Sequence, residues 1–185
     1  MAKLLRCRAC GFVVEEGHLG EVCPACGLPR KVFEEHAERI SPLRKRILAL
    51  DLHPISVHLP QSLAVLILLA LLGKVLLRGP LAAQLEDSAR LLAILFPLTV
   101  LASMATGLLD GRTRYRRLRT PLLVRKMIVG LLLLLLSAAL AALALLGGFG
   151  SPLIYLGLAL VLGCLVCEFL LGRTGSKLIC PYLRG

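Results

Sequence analysis

The sequence predicts a small metal-knuckle domain followed by an all-α bundle of four transmembrane helices. Three observations predict it. Two Cys-x-x-Cys pairs lie within the first thirty residues. Four apolar stretches follow Pro54, each close to the ~20 residues that cross a bilayer as a helix. The basic residues gather at the ends of those stretches, where membrane proteins place them.

The 185 residues are 57% hydrophobic, lack Trp and carry a net charge of +11. Residues 1–36 hold five basic and five acidic side chains and are neutral, whereas the remainder holds seventeen basic residues against six acids. A basic surplus of this size often marks a nucleic-acid binder. Here it flanks apolar spans, so it is assigned to juxtamembrane anchoring and no nucleic-acid partner is expected. The opening Met-Ala-Lys-Leu-Leu-Arg-Cys lacks the pattern of a secretory signal. The cysteines are therefore expected in the cytoplasm, where thiols stay reduced and open to metals.

Four segments are expected: a metal domain (1–36), a basic amphipathic linker (37–54), a four-span transmembrane domain (55–172) and a cytoplasmic tail (173–185). The linker, with Arg39, Arg44, Lys45 and Arg46, is expected to form a short interfacial helix. The spans are placed at about residues 55–77, 90–109, 127–146 and 152–171. Lys74 and Arg78 end the first span and can snorkel to the interface. Pro97 lies inside the second, which membrane helices tolerate. The third is nearly pure Leu and Ala, with Gly130, Ser137, Ala138 and Ala139 suited to close helix packing. Gly147-Gly148-Phe149-Gly150-Ser151-Pro152 reads as a tight turn into the fourth.

The connection between spans two and three, from Arg112 to Arg119 with Arg125 and Lys126 beyond, is the most basic. The connection between spans one and two carries Glu86 and Asp87, and the last turn is uncharged. The tail adds Arg173, Lys177 and Arg184. The positive-inside rule then places the N-terminus, the basic loop and the C-terminus in the cytoplasm. The expected location is the inner (cytoplasmic) membrane of a bacterium or archaeon.

Cys7 and Cys10 are separated by twelve residues from Cys23 and Cys26. Two such pairs are a strong metal signal, because each forms a turn that offers two thiolates to one ion. Gly11 and Gly27 follow the second cysteine of each pair, allowing a backbone whose amides point at sulfur. A disulfide is the competing pairing, disfavoured in a reducing compartment and in a domain too small to fold without a metal. Iron and zinc both accept four tetrahedral thiolates.

The run Cys7-Arg-Ala-Cys10-Gly11-Phe12, then Glu16-Gly17, then Cys23-Pro24-Ala-Cys26-Gly27-Leu-Pro, then Lys31-x-Phe33 resembles the short rubredoxin domain at the end of rubrerythrins. The resemblance covers about thirty residues. It implies a rubredoxin-like domain holding one iron in a four-cysteine site and passing single electrons. The longer insert and the tryptophan of free-standing rubredoxins are lacking, which keeps a zinc ribbon as the alternative.

His53-Pro54-Ile-Ser-Val57-His58-Leu-Pro60 and the later Thr106-Gly107-Leu-Leu-Asp110 resemble a bacterial family of four-helix membrane domains of uncharacterised function, whose first helix opens His-Pro-x-x-Val-His-x-Pro. The resemblance spans roughly residues 51–172. Family members often carry a further histidine at the start of the third helix, where this chain has Arg125-Lys126-Met127.

Counting helical rise from the inner ends brings His53, His58, Asp110, Lys126 and Glu168 to one cytoplasmic level, expected just below the metal domain. The modest role for the histidines is anchoring and capping. The sharper one is a redox or proton site, since ionisable groups in membranes are costly. Two cofactors fit: a quinone, or haem b with His53 or His58 as axial ligand. Five residues turn a helix by about 140°, so these two histidines do not readily clamp one haem. Met104 and Met127 are weak substitutes. Cys164 and Cys167, one turn apart, read as apolar packing, and Cys180 as a lipidation candidate without a specific motif.

The expected protein is a membrane-anchored rubredoxin-like electron-transfer protein. It would serve as a carrier or as a subunit of a redox complex rather than as a stand-alone enzyme. Expected partners are membrane lipid, a soluble redox protein or a membrane redox complex, and a second copy in a homodimer. The alternative is a zinc-ribbon adaptor that docks a protein without redox chemistry. A transporter ranks last, because the spans lack a central polar pair or a broken-helix repeat.

Overall fold

The computed structural model describes residues 3–37, 41–114 and 120–179, the last three by backbone alone. Arg39, residues 115–119 of the basic loop, Cys180 and Arg184 lie outside the described residues, as does the Lys177 side chain. The chain divides into two compact units, one of residues 1–42 together with 175–185 and one of Leu43–Thr174.

The first unit is a three-stranded antiparallel sheet of β1 (Leu4–Cys7), β2 (Val13–Glu15) and β3 (Phe33–Glu35), in the order β2-β1-β3. Its central strand runs straight into the first cysteine. Side chains alternate along β1, so Leu5 and Cys7 turn inward with Leu19 and Cys23 to make the small core. Exposed ion pairs from the residues that flank β1, Lys3–Glu35 at 2.5 Å and Arg8–Glu34 at 3.9 Å, reach across to β3. Such exposed pairs add little, because water screens them. A core of four small and medium residues cannot hold a domain of this size, so the metal site is expected to supply much of its folding energy.

The second unit is all helical: α1 (Pro42–Ala49), α2 (Leu52–Ser56), α3 (His58–Leu76), α4 (Pro80–Arg114), α5 (Pro121–Leu146) and α6 (Leu153–Ile179). Among the described residues, four helical stretches are long and apolar enough to cross a membrane. The linker helix expected within residues 37–54 is present as α1. It does not stand free: Arg44 donates from Nε to the Thr113 carbonyl near the end of α4 at 2.8 Å, and from Nη2 as well. A cation there satisfies a carbonyl and opposes the negative end of the helix dipole.

The first helical stretch of membrane length, Pro42–Leu76, takes in α1, α2 and α3 and so starts ahead of residue 55. Asp51 adopts left-handed dihedrals (φ 46°) and separates α1 from α2. Pro54 and Pro60 each sit third in their helices, within the first turn, where no donor inside the same helix is lost. Pro60 cannot donate to the Ser56 carbonyl, and the Ser103 hydroxyl on α4 does so instead at 2.9 Å. The second span is also longer than its apolar stretch, because α4 continues through polar turns at both ends.

Buried positions on α5 are Gly130, Leu133, Ser137, Leu140, Ala141 and Ala144, a stripe at helical spacing. Gly130 and Ser137 therefore pack inward as expected. Ala138 and Ala139 lie on the exposed side, because single-residue steps of about 100° carry them off the stripe. Leu131, Leu135 and Leu145 are likewise exposed, which suits lipid.

At the end of the bundle away from the α2–α3 junction, Lys74 does not simply snorkel. It pairs with Glu86 and donates to the Phe149 carbonyl at 2.6 Å, while the Phe149 N–H donates to Glu86 Oε1 at 3.1 Å. The α5–α6 turn is pinned to α3 and α4 by this pair. Phe149 is fully buried, and a Cβ on Gly157 would come within 2.8 Å of its ring.

Candidate functional site

The two knuckles repeat one local design. The Cys7 N–H donates to the Phe12 carbonyl at 2.8 Å and the Gly11 N–H to the Cys7 carbonyl at 2.9 Å. The Cys23 N–H donates to the Leu28 carbonyl at 2.7 Å and the Gly27 N–H to the Cys23 carbonyl at 2.8 Å. Both turns need a residue at positive φ, and Gly11 (φ 78°) and Gly27 (φ 72°) supply it. The sequence repeat Cys-x-x-Cys-Gly-apolar is thus a backbone repeat.

The turns face each other and bring all four sulfurs within 4.8 Å. Cys7 Sγ lies 3.8 Å from Cys26 Sγ, and Cys10 Sγ 3.7 Å from Cys23 Sγ. A metal about 2.3 Å from each sulfur of a tetrahedron sets edges of about 3.8 Å, so these residues fit one such ion. A disulfide needs sulfurs about 2.05 Å apart, and the four are free thiols.

One ligand of each knuckle is buried, Cys7 and Cys23, and one is exposed, Cys10 and Cys26. The backbone N–H of Cys10, with that of Ala9, pulls the Cys7 thiol down to about 7. At Cys26 the Leu28 N–H pulls in the same direction, but partial loss of solvent around the sulfur and the thiols of Cys23, Cys10 and Cys7 outweigh it and push the thiol up to about 12. Four sulfurs this close repel one another as anions, so a cation must stand among them before all can ionise. The amides aimed at sulfur are the groups that tune a tetrathiolate centre.

The membrane-type unit holds a second polar cluster, in which two of the five residues expected there, His53 and Lys126, meet. His53 Nδ1 lies 3.2 Å from the Ser103 carbonyl, and Lys126 Nζ lies 3.2 Å from His53 Nε2. Asp110 is within electrostatic reach of both and pairs with Arg114 at 3.8 Å. The other two stand apart. His58 is exposed as the first residue of α3, its carbonyl accepting from Ser62. Glu168 is buried on α6, and its Oε1 has no hydrogen-bond partner among the described residues. Cys164 and Cys167 on the same helix are buried in the apolar core.

Sequence inspection missed Ser56, Ser103 and the part played by Gly107. Ser56 Oγ lies 2.7 Å from Thr106 Oγ1, and a Cβ on Gly107 would fall 2.9 Å from His53 Cε1. The signal was a helical period: Ser103, Thr106, Gly107 and Asp110 fall at i, i+3, i+4 and i+7 on α4, one face of an otherwise apolar helix.

Fold and site together define a tetrathiolate knuckle domain joined to a helical bundle of membrane-spanning proportions. Residues 6–34 match the rubrerythrin, rubredoxin-like domain. No curated protein and no solved structure matches the chain. These comparisons give no match to the four-helix membrane family that residues 51–172 resemble.

Proposed function

We propose that the protein is a membrane-anchored electron carrier. Single electrons pass through an iron held by Cys7, Cys10, Cys23 and Cys26, between a cytoplasmic partner and a membrane redox centre. That centre is a quinone, a haem or a partner subunit. The chain lies in the inner membrane of a bacterium or archaeon, with both termini in the cytoplasm. It acts as a carrier or as a subunit of a redox complex, with lipid, a soluble redox protein and a second copy of itself as partners.

One observation carries the proposal: four sulfurs within 4.8 Å of one another inside a rubredoxin-like domain, with one ligand of each pair at the surface. Iron in this set supplies one-electron chemistry between Fe(II) and Fe(III). The residues of the chain do the rest. Cys7 and Cys23 seat the ion against the sheet, and the knuckle amides favour the thiolate form. Exposed Cys10 and Cys26 leave the centre close to a docking partner.

A zinc-ribbon adaptor is the second reading. It is favoured by exposed apolar side chains on the same domain, Val22 above all at 53% exposure, which suit protein docking without redox chemistry. A visible spectrum of the purified full-length protein separates the two. Oxidised iron tetrathiolate is coloured and bleaches on reduction, whereas zinc is colourless.

A further inference from the structure

We infer that His53 and Lys126 form a binding site for the ring carbonyl of a membrane quinone, with the Lys126 ammonium as hydrogen-bond donor and His53 as its positioning residue. The site rests on the electron-carrier proposal above and narrows its membrane redox centre to a quinone.

The tautomer of His53 follows from its partners. The Ser103 carbonyl can only accept, so Nδ1 carries the proton. Nε2 therefore presents a lone pair, which accepts from Lys126 Nζ. The ring packs against α4 in the space that a side chain on Gly107 would fill. A Cβ there would sit 2.9 Å from Cε1 and 3.0 Å from Nδ1. Ser103 also bonds α2 through the Ser56 carbonyl at 2.9 Å, which fixes the helix that carries His53.

This geometry weighs against haem. Axial ligation needs the Nε2 lone pair, which Lys126 already uses, and it would bring a cation against the iron. His58, the other histidine of the motif, is exposed and shares no hydrogen bond with the cluster.

Lys126 itself asks for an acceptor. An ammonium offers three donors, and its one hydrogen bond among the described residues goes to His53. It is the sixth residue of α5, about 8 Å along the helix from its start. Instead of reaching outward it bends onto His53. Asp110 lies within electrostatic reach of Lys126 and pairs with Arg114 at 3.8 Å. A neutral carbonyl oxygen meets the need without adding charge.

The test uses full-length protein loaded with zinc, so that binding is measured without electron transfer. The probe is a photoreactive azido analogue of decylubiquinone, competed by decylubiquinone or by dihexanoyl phosphatidic acid. Saturable labelling of peptides from α2, α4 or α5 is expected, displaced by decylubiquinone and not by the phosphatidic acid. Lys126→Gln should weaken labelling at least tenfold, while Arg125→Gln, which removes the same charge one residue away, changes it less than twofold. Absence of saturable labelling, labelling confined to other helices, displacement by phosphatidic acid, or equal losses in both variants would each overturn the site. Labelled peptides of the wild-type chain decide the matter even if Lys126→Gln fails to fold. Because the metal is zinc throughout, a failed iron spectrum removes the electron-carrier proposal and leaves this result standing.

Discussion

Replacing Gly27 with alanine should weaken metal binding about 5- to 30-fold. Gly27 has φ 72°, and no atom lies within 4 Å of a Cβ built on it. The substitution therefore meets no steric obstacle, and its whole cost is the left-handed backbone, about 1–2 kcal/mol for a residue with a Cβ. A domain this small folds together with its metal, so that cost appears in metal affinity, at about 1.4 kcal/mol per decade. Gly20 supplies the internal control. A Cβ there also meets nothing within 4 Å, and its φ lies outside the left-handed range. Gly20→Ala should change affinity less than twofold, and Gly27→Asn should recover part of the loss, since Asn tolerates this conformation better than Ala. The assay is competition between the full-length protein and a chromophoric zinc chelator. Wild-type affinity in Gly27→Ala, or an equal loss in Gly20→Ala, would refute the backbone argument.

Three further outcomes follow from the geometry. Gly107→Ala should push the His53 ring from α4 and break its bonds to Ser103 and Lys126, a loss of about 2–4 kcal/mol seen as a lower thermal midpoint; an unchanged midpoint would show that the ring does not need that space. Lys74→Met should cost about 2 kcal/mol by leaving Glu86 without its cation at 25% side-chain exposure, and Lys74→Met/Glu86→Leu should be less damaging than the single change, which a double-mutant cycle checks. Metal affinity should rise with pH, because bound thiolates must shed protons, and the slope of log affinity against pH should fall by about one as pH rises through about 7, where the metal-free Cys7 thiol loses its proton; a slope constant across that range would contradict the lowered Cys7 value.

Much of this was legible in the sequence because its signals are local. Cys-x-x-Cys-Gly fixes a turn within six residues, and four thiols of this spacing have few other uses. Long apolar runs declare helices of membrane length without any knowledge of their packing. What was not legible depended on contacts between distant segments. Helical rise alone grouped His53, His58, Asp110, Lys126 and Glu168, but depth says nothing of azimuth. Only His53 and Lys126 meet, with Asp110 in electrostatic reach, while His58 is exposed and Glu168 lies buried on α6. Lys74 looked like an interfacial anchor because Glu86 and Phe149 reach it only through the fold. The role of Ser103 was hidden for a similar reason: it answers a carbonyl left open by Pro60 on another helix.

The central claim is that the four sulfurs hold a redox iron. Metal analysis combined with a visible spectrum, on full-length protein purified from its native source, tests it most directly. The account predicts one iron per chain, coloured when oxidised and bleached by a one-electron reductant. Stoichiometric zinc without iron, and a colourless protein in both states, would contradict it.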